Sequence, residues 1–173
     1  DLLKLYTFIY NNHDIFGLNN VLLERLLELI KSNININNTI ILNPDIDDLL
    51  NDNVFCLNLE NNDLLIPLWH DNVEFDLSNN DISIINIPNL NKNITIDKYN
   101  NINIEINCHI KRLLEEDLTF NLGKKKFTIK SNELKISKNQ IYTLKEKGML
   151  KINKDDLFDT NYRGDINVII SLL

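Results

Sequence analysis

The chain is short of the residues from which several kinds of functional site are built. Its 173 residues include four glycines, three prolines, one tryptophan and two cysteines. Four glycines leave no glycine-rich loop to hold a phosphate group, and no Ser or Cys occupies a sharp, glycine-bounded nucleophile turn. No pair of carboxylates is singled out by its sequence context. We therefore expect the protein not to be an enzyme.

The cysteines and histidines are spread too widely to predict a disulfide framework or a metal site. Cys56 and Cys108 are 52 positions apart, in strand-like segments, and this spacing fits neither arrangement. His13, His70 and His109 are scattered, with no Cys or Glu-x-x-His pattern near them. We expect two buried free thiols in a reducing cytoplasm, and no metal or other cofactor.

Long apolar runs are also missing. No stretch of about 18 apolar residues occurs, and no charged-then-apolar leader with a small-residue cleavage site is present. Because of these absences, the sequence supports neither a membrane span nor secretion. The first residue is Asp1 rather than Met, which predicts a fragment of a longer protein.

Asparagine and isoleucine dominate the composition, with 31 and 26 residues. Asn-rich tracts can be prion-like, but here Asn alternates with Ile. Ile102, Ile104 and Ile106 recur at the period of two that places apolar side chains on one face of a strand. The pattern predicts strands in which Asn is the solvent-side neighbour of buried Ile.

Charge divides the chain into two parts. Residues 1–110 contain 5 basic and 16 acidic residues, a net charge of −11, whereas residues 111–173 contain 13 and 9, a net charge of +4. This change predicts a domain boundary near residue 110. The acidic balance argues against nucleic-acid binding. The basic run Lys124–Lys126 is interpreted as an edge-protecting turn, with contact to an anionic partner as the alternative.

The hydrophobic periodicity predicts two short amphipathic helices within residues 1–31 and mostly strands after residue 39. Asp45 is expected to cap a helical turn that buries Ile46, Leu49 and Leu50. The prolines Pro67 and Pro88 are expected at strand edges or ends. Predicted strands cover residues 39–42, 54–59, 64–69, 73–76, 82–87, 94–96 and 102–109, one helical turn covers 111–117, and a hairpin joins 118–120 to 127–129.

Two segments near the end of the chain carry a family resemblance. Gly148-Met149 follows a predicted strand, and Arg163-Gly164-Asp165 precedes the last one. This order resembles the close of the C-terminal substrate-binding domains of J-domain co-chaperones, the DnaJ or Hsp40 family. Ile46–Leu50 resembles the Leu-Glu-Asp-Leu-Phe turn of the first such domain, although Asp52 stands where the family has glycine. We interpret Gly164 as a turn residue and Asp165 as a local hydrogen-bond acceptor rather than as an adhesion motif.

The resemblance implies a mainly β fold with two tandem small β-sandwich-like modules of the Hsp40 C-terminal domain type. By this reading residues 1–38 form a helical segment, residues 39–110 the first module and residues 111–173 the second. A client-peptide groove would be lined by Ile40 and Leu42 before the helical turn, and by Leu57 and Leu59 after it. Alternating aliphatic residues that form only the core of the domain are the alternative.

The implied function is that of a co-chaperone. The protein would bind unfolded or partly folded polypeptides and deliver them to Hsp70, mainly through a J domain expected upstream. The zinc-containing repeats of the family are missing. The segment Leu65–Asp71 resembles a form of the first module in divergent members of AT-rich, large-virus type, which would place the protein in the cytoplasm of a host cell. Homodimerisation is possible in this family. A structural or assembly protein of β-sandwich type, without chaperone activity, is the alternative function.

Overall fold

The computed structural model of the chain describes residues 39–59, 63–76 and 82–173, with Ile9, Val21–Leu23, Arg25 and Leu26 from the preceding segment. The six residues described before residue 39 are helical. The two amphipathic helices predicted within residues 1–31 otherwise lie outside the described residues.

The described chain is mainly β, as predicted. Two short helices interrupt the strands, α1 (Ile46–Leu50) and α2 (Ile110–Glu115), and residues Ser131–Glu133 form a 3-10 turn. The strands are β1 (Thr39–Leu42), β2 (Val54–Asn58), β3 (Asp63–Pro67), β4 (Asn72–Phe75), β5 (Ile82–Asn86), β6 (Ile94–Ile96), β7 (Ile102–Cys108), β8 (Leu118–Leu122), β9 (Lys125–Ile129), β10 (Asn139–Leu144) and β11 (Ile166–Leu172).

Helix α1 begins at the predicted cap. The Asp45 carboxylate accepts a hydrogen bond from the Asp48 N–H at 2.8 Å, and the Asp48 carboxylate accepts one from the Asp45 N–H at 3.0 Å. This reciprocal capping box supplies acceptors for two backbone donors. Ile46, Leu49 and Leu50 are buried, as predicted.

The strands before residue 87 form two small sheets. Parallel pairing of β1 with β5 and antiparallel pairing of β4 with β5 give the order β1-β5-β4. Strands β2 and β3 form a separate antiparallel hairpin. Pro67 is the last residue of β3, whose only ladder among the described residues is with β2. It therefore lies on a strand with a free edge among the described residues, as predicted.

Four of the six strands after residue 93 form a larger sheet in the order β10-β11-β7-β6, and β8 and β9 form a separate antiparallel hairpin. The central pair of the larger sheet, β11 and β7, is parallel, and the two outer pairs are antiparallel. The period of two is confirmed here, because alternate residues of β7 and β11 are buried. On the opposite face Thr143, Asn167, Asn103 and Thr95 stand side by side across all four strands. Asn167 bonds both Thr143 and Asn103.

The predicted boundary at residue 110 does not coincide with a division between sheets. Strands β6 and β7 lie before it and β10 and β11 after it, yet all four form one sheet. The described strands instead separate between Asn86 and Ile94, since no ladder crosses that interval. The net charge of a segment depends on its surface residues, so its sign need not change at the residue where strand pairing changes. We call β1–β5 the N-terminal strand group and β6–β11 the C-terminal strand group.

The main hydrophobic core nevertheless draws on both groups. It combines side chains of β7, β8 and β11 with Leu49 and Leu50 of α1, and with Leu68 and Trp69 after β3. Trp69 is buried at 3% exposure. Four further aliphatic residues of the N-terminal strand group are buried outside this cluster: Ile66, Val73, Ile84 and Ile87.

Acceptor groups in and just after α1 contact basic or amide groups of the C-terminal strand group. The Asp47 carboxylate accepts a hydrogen bond from the Lys124 N–H at 2.7 Å, and Lys125 Nζ donates to the Leu50 carbonyl at 2.6 Å. Asp52 forms an ion pair with Arg163. The first two residues of the basic turn at 124–126 therefore hold α1 through hydrogen bonds. The sequence did not indicate this role.

The two motifs that carry the family resemblance meet at one packed junction. The Gly148 N–H donates to the Gly164 carbonyl at 2.9 Å, and the Gly164 N–H donates to the Met149 carbonyl at 2.8 Å. A Cβ on Gly164 would collide with the backbone carbonyl of Asn100. Glycine is needed at 164 for this close approach of backbones, because its φ is not in the left-handed region. Gly164 was predicted to form a turn, but in the structure it allows two backbone segments to pack closely.

Asn100 closes the same junction from the other side. It has a left-handed backbone (φ 59°) and is 5% exposed. Its Nδ2 group donates to the carbonyls of Trp69 at 2.8 Å and Leu150 at 2.7 Å, and so links the two strand groups. Asparagine tolerates this backbone region better than most residues. The sequence did not distinguish this buried Asn from the many exposed ones.

Candidate functional site

The four predicted groove residues lie on two strands of the N-terminal strand group. Ile40 and Leu42 are on β1, opposite Ile84 and Asn86 of β5. Leu57 is on β2, opposite Leu64, and Leu59 directly follows that strand. The two pairs belong to different sheets, since β1 pairs with β5 and β2 with β3. The structure therefore places Ile40 and Leu42 on one strand and Leu57 and Leu59 at the end of another, and it does not join the pairs in one sheet.

All four side chains are half-buried. Core residues such as Ile84 and Ile66 are at 0% exposure. Leu42 packs against the main hydrophobic core, whereas Ile40, Leu57 and Leu59 do not belong to it. Both strands also have a free edge among the described residues, because β1 has a ladder only with β5 and β2 only with β3. Half-exposed aliphatic groups beside an unpaired strand edge are the features that peptide binding by strand addition uses.

The hairpin β2–β3 exposes more apolar surface than the sequence predicts. Val54 and Leu65 lie on one face and are 41% and 53% exposed, while Phe55 on the other face is 40% exposed. Cys56 lies beside Leu65 and is exposed, so the prediction of two buried thiols is wrong for Cys56 and confirmed for Cys108. A period-two pattern marks the faces of a strand, but it does not tell which face another layer covers.

A cleft of about 770 Å³ lies where the two strand groups meet. The segments that line it are Leu68–Asp71 after β3, Asn86–Lys92 at and after the end of β5, Ile94–Lys98 at β6, and the separate residues Asn100, Met149 and Ile152. Its volume is in the range typical of ligand-binding clefts. None of its residues was predicted as a site, because the cleft is made by loops distant in sequence.

Two buried polar atoms of cleft-lining residues have no hydrogen-bond partner. They are Nε1 of Trp69 and Oδ1 of Asn86. The Nδ2 group of Asn86 donates to the carbonyls of Pro67 at 3.3 Å and His70 at 2.6 Å. These bonds fix the orientation of the amide and leave its oxygen as the unpaired end.

His70 is buried in the wall of the cleft at 3% exposure. Burial lowers the pKa of the imidazole, against the opposing effects of the Leu157 carbonyl and the Asp71 carboxylate. Its Nε2 atom lies 3.1 Å from the Leu157 carbonyl oxygen, so this nitrogen carries the proton that is donated. The residue acts as a neutral structural group that ties the loop at 157 to the cleft wall.

Charged groups at the cleft are balanced in sign. The lining includes two aspartates, Asp71 and Asp97, and two lysines, Lys92 and Lys98. Burial raises the pKa of Asp97, but hydrogen bonds from Asn101 and from backbone N–H groups outweigh this effect and hold the pKa below its usual value. The cleft therefore has a mixed apolar and polar lining without excess formal charge.

The described residues contain neither a metal-ligand cluster nor a membrane-spanning helix. Within residues 39–59, 63–76 and 82–173, no three His, Cys, Asp or Glu side chains converge into a possible ligand set for a metal ion. In the same part of the chain, no helix has the length and apolar character needed to cross a membrane.

Comparison of the chain with protein-family models and with curated protein sequences gives no match. The resemblance to J-domain co-chaperones therefore stays a prediction from the motifs at 46–50, 148–149 and 163–165.

Proposed function

We propose that the protein is a non-enzymatic polypeptide-binding module of the co-chaperone type. It binds extended apolar segments of unfolded clients and passes them to an Hsp70 in the cytoplasm. In this proposal the chain folds as two tandem β-sandwich-like modules. The observation that carries it is the half-burial of Ile40, Leu42, Leu57 and Leu59 on strands with a free edge.

Strand addition explains how such a surface accepts many sequences. The backbone of a client strand bonds the free edge of β1 or β2 whatever its side chains are, and its apolar side chains contact the aliphatic pairs. A short peptide loses conformational freedom on binding and buries little area, so affinity is expected to be micromolar or weaker, on the order of 10⁻⁶ M. Weak binding suits transfer of the client.

Suppression of aggregation tests the proposal. We expect the chain to slow the aggregation of reduced insulin, and Leu57→Ser and Leu59→Ser to lose most of that activity at matched folding. The control is Ile141→Ser, which removes an aliphatic side chain that is 68% exposed on β10 of the other strand group. Equal suppression by all four proteins would exclude the groove.

A structural or assembly role is the second candidate, and the exposed apolar residues of the β2–β3 hairpin favour it. Val54, Phe55 and Leu65 could form a fixed contact between copies. This role predicts a stable oligomer in light scattering that Leu65→Ser dissociates, and no effect on insulin aggregation. A monomer that suppresses aggregation would favour the co-chaperone proposal instead.

A further inference from the structure

Strand β10 has a free edge without the usual protection against strand pairing. Its only ladder among the described residues is with β11. The strand has six residues, none of them charged and none a proline, although charges, prolines and short length are what protect most edge strands. The opposite edge of the same sheet is protected by length, since β6 has only three residues. We propose that β10 pairs with β10 of a second copy in a two-fold symmetric dimer.

The backbone of β10 offers bonds on its outer side. The Lys138 carbonyl accepts a hydrogen bond from the Leu172 N–H at 2.8 Å, so residue 138 bonds toward β11. Residues that bond a given neighbour alternate along an antiparallel strand. Ile141 and Thr143 therefore direct their N–H and C=O groups away from β11. In the described part of the chain, neither backbone has a partner on that side.

The side chains of β10 match a second copy when the two-fold axis passes through Ile141. This residue is 68% exposed and lies opposite Ile169 of β11, so pairing about it aligns the isoleucines of both copies in one row. Thr143 then faces Asn139 of the second copy, and both are polar. A shift of two residues in either direction would place Ile141 against one of these polar side chains. Cross-strand pairs of like character therefore select a single register.

A second copy suits this edge better than an apolar client segment. Ile141 is the only aliphatic residue on the outward face of β10, between Asn139 and Thr143. An alternating apolar client would place its side chains against these polar neighbours. The symmetric pairing also brings no like charges together, because Lys138 faces Leu144 of the second copy. The inference goes beyond the co-chaperone proposal, since pairing at β10 leaves the edges of β1 and β2 free.

Sedimentation equilibrium of the full chain over a range of concentrations tests for the dimer. One pair of short strands buries less area than a standard interface, so we expect a Kd on the order of 10⁻⁵ M. Ile141→Lys places two like charges at the two-fold axis and is expected to raise this Kd about tenfold or more. Leu65→Lys makes a comparable exchange on the β2–β3 hairpin, where the leucine is 53% exposed, and is expected to leave the Kd unchanged.

Disulfide trapping tests the register. The background is Cys56→Ser, which removes the exposed native thiol. Ile141→Cys would bring two thiols to the axis on Cα atoms about 5.5 Å apart, a separation that a disulfide spans. Thr143→Cys would leave its two thiols on Cα atoms more than about 12 Å apart. We expect diamide to cross-link the Ile141→Cys protein into a dimer and to leave the Thr143→Cys protein uncross-linked.

Each outcome supports or overturns the dimer. A chain that stays monomeric up to about 10⁻³ M would overturn it. A dimer that Leu65→Lys dissociates and Ile141→Lys does not would place the contact at the hairpin and overturn it as well. Equal cross-linking of the two cysteine variants would contradict the register. If circular dichroism shows that Ile141→Lys is unfolded, the trapping experiment decides. None of these results bears on aggregation suppression, which the proposed function assigns to β1 and β2.

Discussion

The two strand groups have similar alternating sequences but bury them differently. In the C-terminal group, β7 and β11 alternate cleanly between buried and more exposed residues. In the N-terminal group, all four residues of β1 are half-buried, and four of the five residues of β2 are exposed. The difference lies in the number of layers, because a four-stranded sheet covered by α1 and the β8–β9 hairpin has a defined inner face. Small sheets with free edges leave aliphatic surface available for contact.

The N-terminal strand group also contributes to the core of the other group. Leu49, Leu50 and Trp69 belong to the main hydrophobic cluster, while Ile40 and Leu57 remain half-exposed. One stretch of chain therefore provides both a buried anchor and an accessible surface. Substitutions in the anchor should unfold the protein, and substitutions in the accessible surface should affect binding alone.

Truncation of the anchor should have the largest effect on stability. Leu50 is 1% exposed, and Leu50→Ala is expected to lower the free energy of unfolding by about 3 kcal/mol through lost burial and a cavity. Leu65→Ala makes the same change where the side chain is 53% exposed, and should cost less than about 1 kcal/mol. Urea unfolding of both variants measures the contrast, and equal costs would contradict the distinction between anchor and accessible surface.

The glycine junction should tolerate substitution nearly as poorly. Gly164→Ala places a methyl group against the Asn100 carbonyl, so a loss of about 2 kcal/mol or more is expected as backbones move apart. Ser171→Thr adds one methyl group on the outward face of the same strand, β11, and should leave the melting temperature nearly unchanged. A stable Gly164→Ala protein would show that the two motifs do not depend on this close approach.

The ion pair between Asp52 and Arg163 should contribute a smaller amount. Its side chains are 27% and 32% exposed, so solvent screens the pair, and Asp52→Asn is expected to cost about 1 kcal/mol. Asparagine tolerates the left-handed backbone of residue 52 (φ 58°), and the variant therefore isolates the charge. Lys145→Met breaks the more exposed pair with Asp165 and should cost less than about 0.5 kcal/mol. If urea titrations show a larger loss of unfolding free energy for Lys145→Met than for Asp52→Asn, this account of the contact between the strand groups is contradicted.

The dependence of stability on pH should be the smallest effect. Because the pKa of His70 is lowered in the folded protein, the unfolded chain binds a proton first as the pH falls through its ordinary value of 6.5. The free energy of unfolding should therefore decrease from pH 7 to pH 5, above the range in which the aspartates titrate. His70→Gln should reduce this slope. An unchanged slope in urea titrations at several pH values would assign it to other groups.

Local patterns predicted most of the secondary structure. The Asp45 cap, the position of Pro67 and the strands β1 to β7 were predicted within one or two residues, because caps, proline and period-two alternation act over a few neighbours. The helical turn at α2 and the hairpin of β8 and β9 were predicted on the same basis.

Long-range relations were predicted less well. The charge changes sign near residue 110, but strands before and after that residue pair in one sheet. Cys56 is exposed because no layer among the described residues covers it. The cleft and the roles of Asn86 and Asn100 arise from loops far apart in sequence. With 31 asparagines in the chain, composition could not single out these two buried ones.

The resemblance at residue 52 has a physical counterpart. The family that the sequence resembles has glycine there, and Asp52 has the left-handed backbone that glycine adopts with least strain. The Asp52 carboxylate forms an ion pair with Arg163. Neither this backbone conformation nor this contact was predicted from the sequence.

Hydrogen exchange measured by mass spectrometry tests the central claim most directly. Exchange is followed in the chain alone and in the presence of an excess of reduced insulin B chain. We predict slower exchange at the amides of Thr39–Leu42 and Val54–Asn58, with no change in Asn139–Leu144 or Ile166–Leu172. Protection confined to the C-terminal strand group, or no protection at β1 and β2, would contradict client binding at the free strand edges.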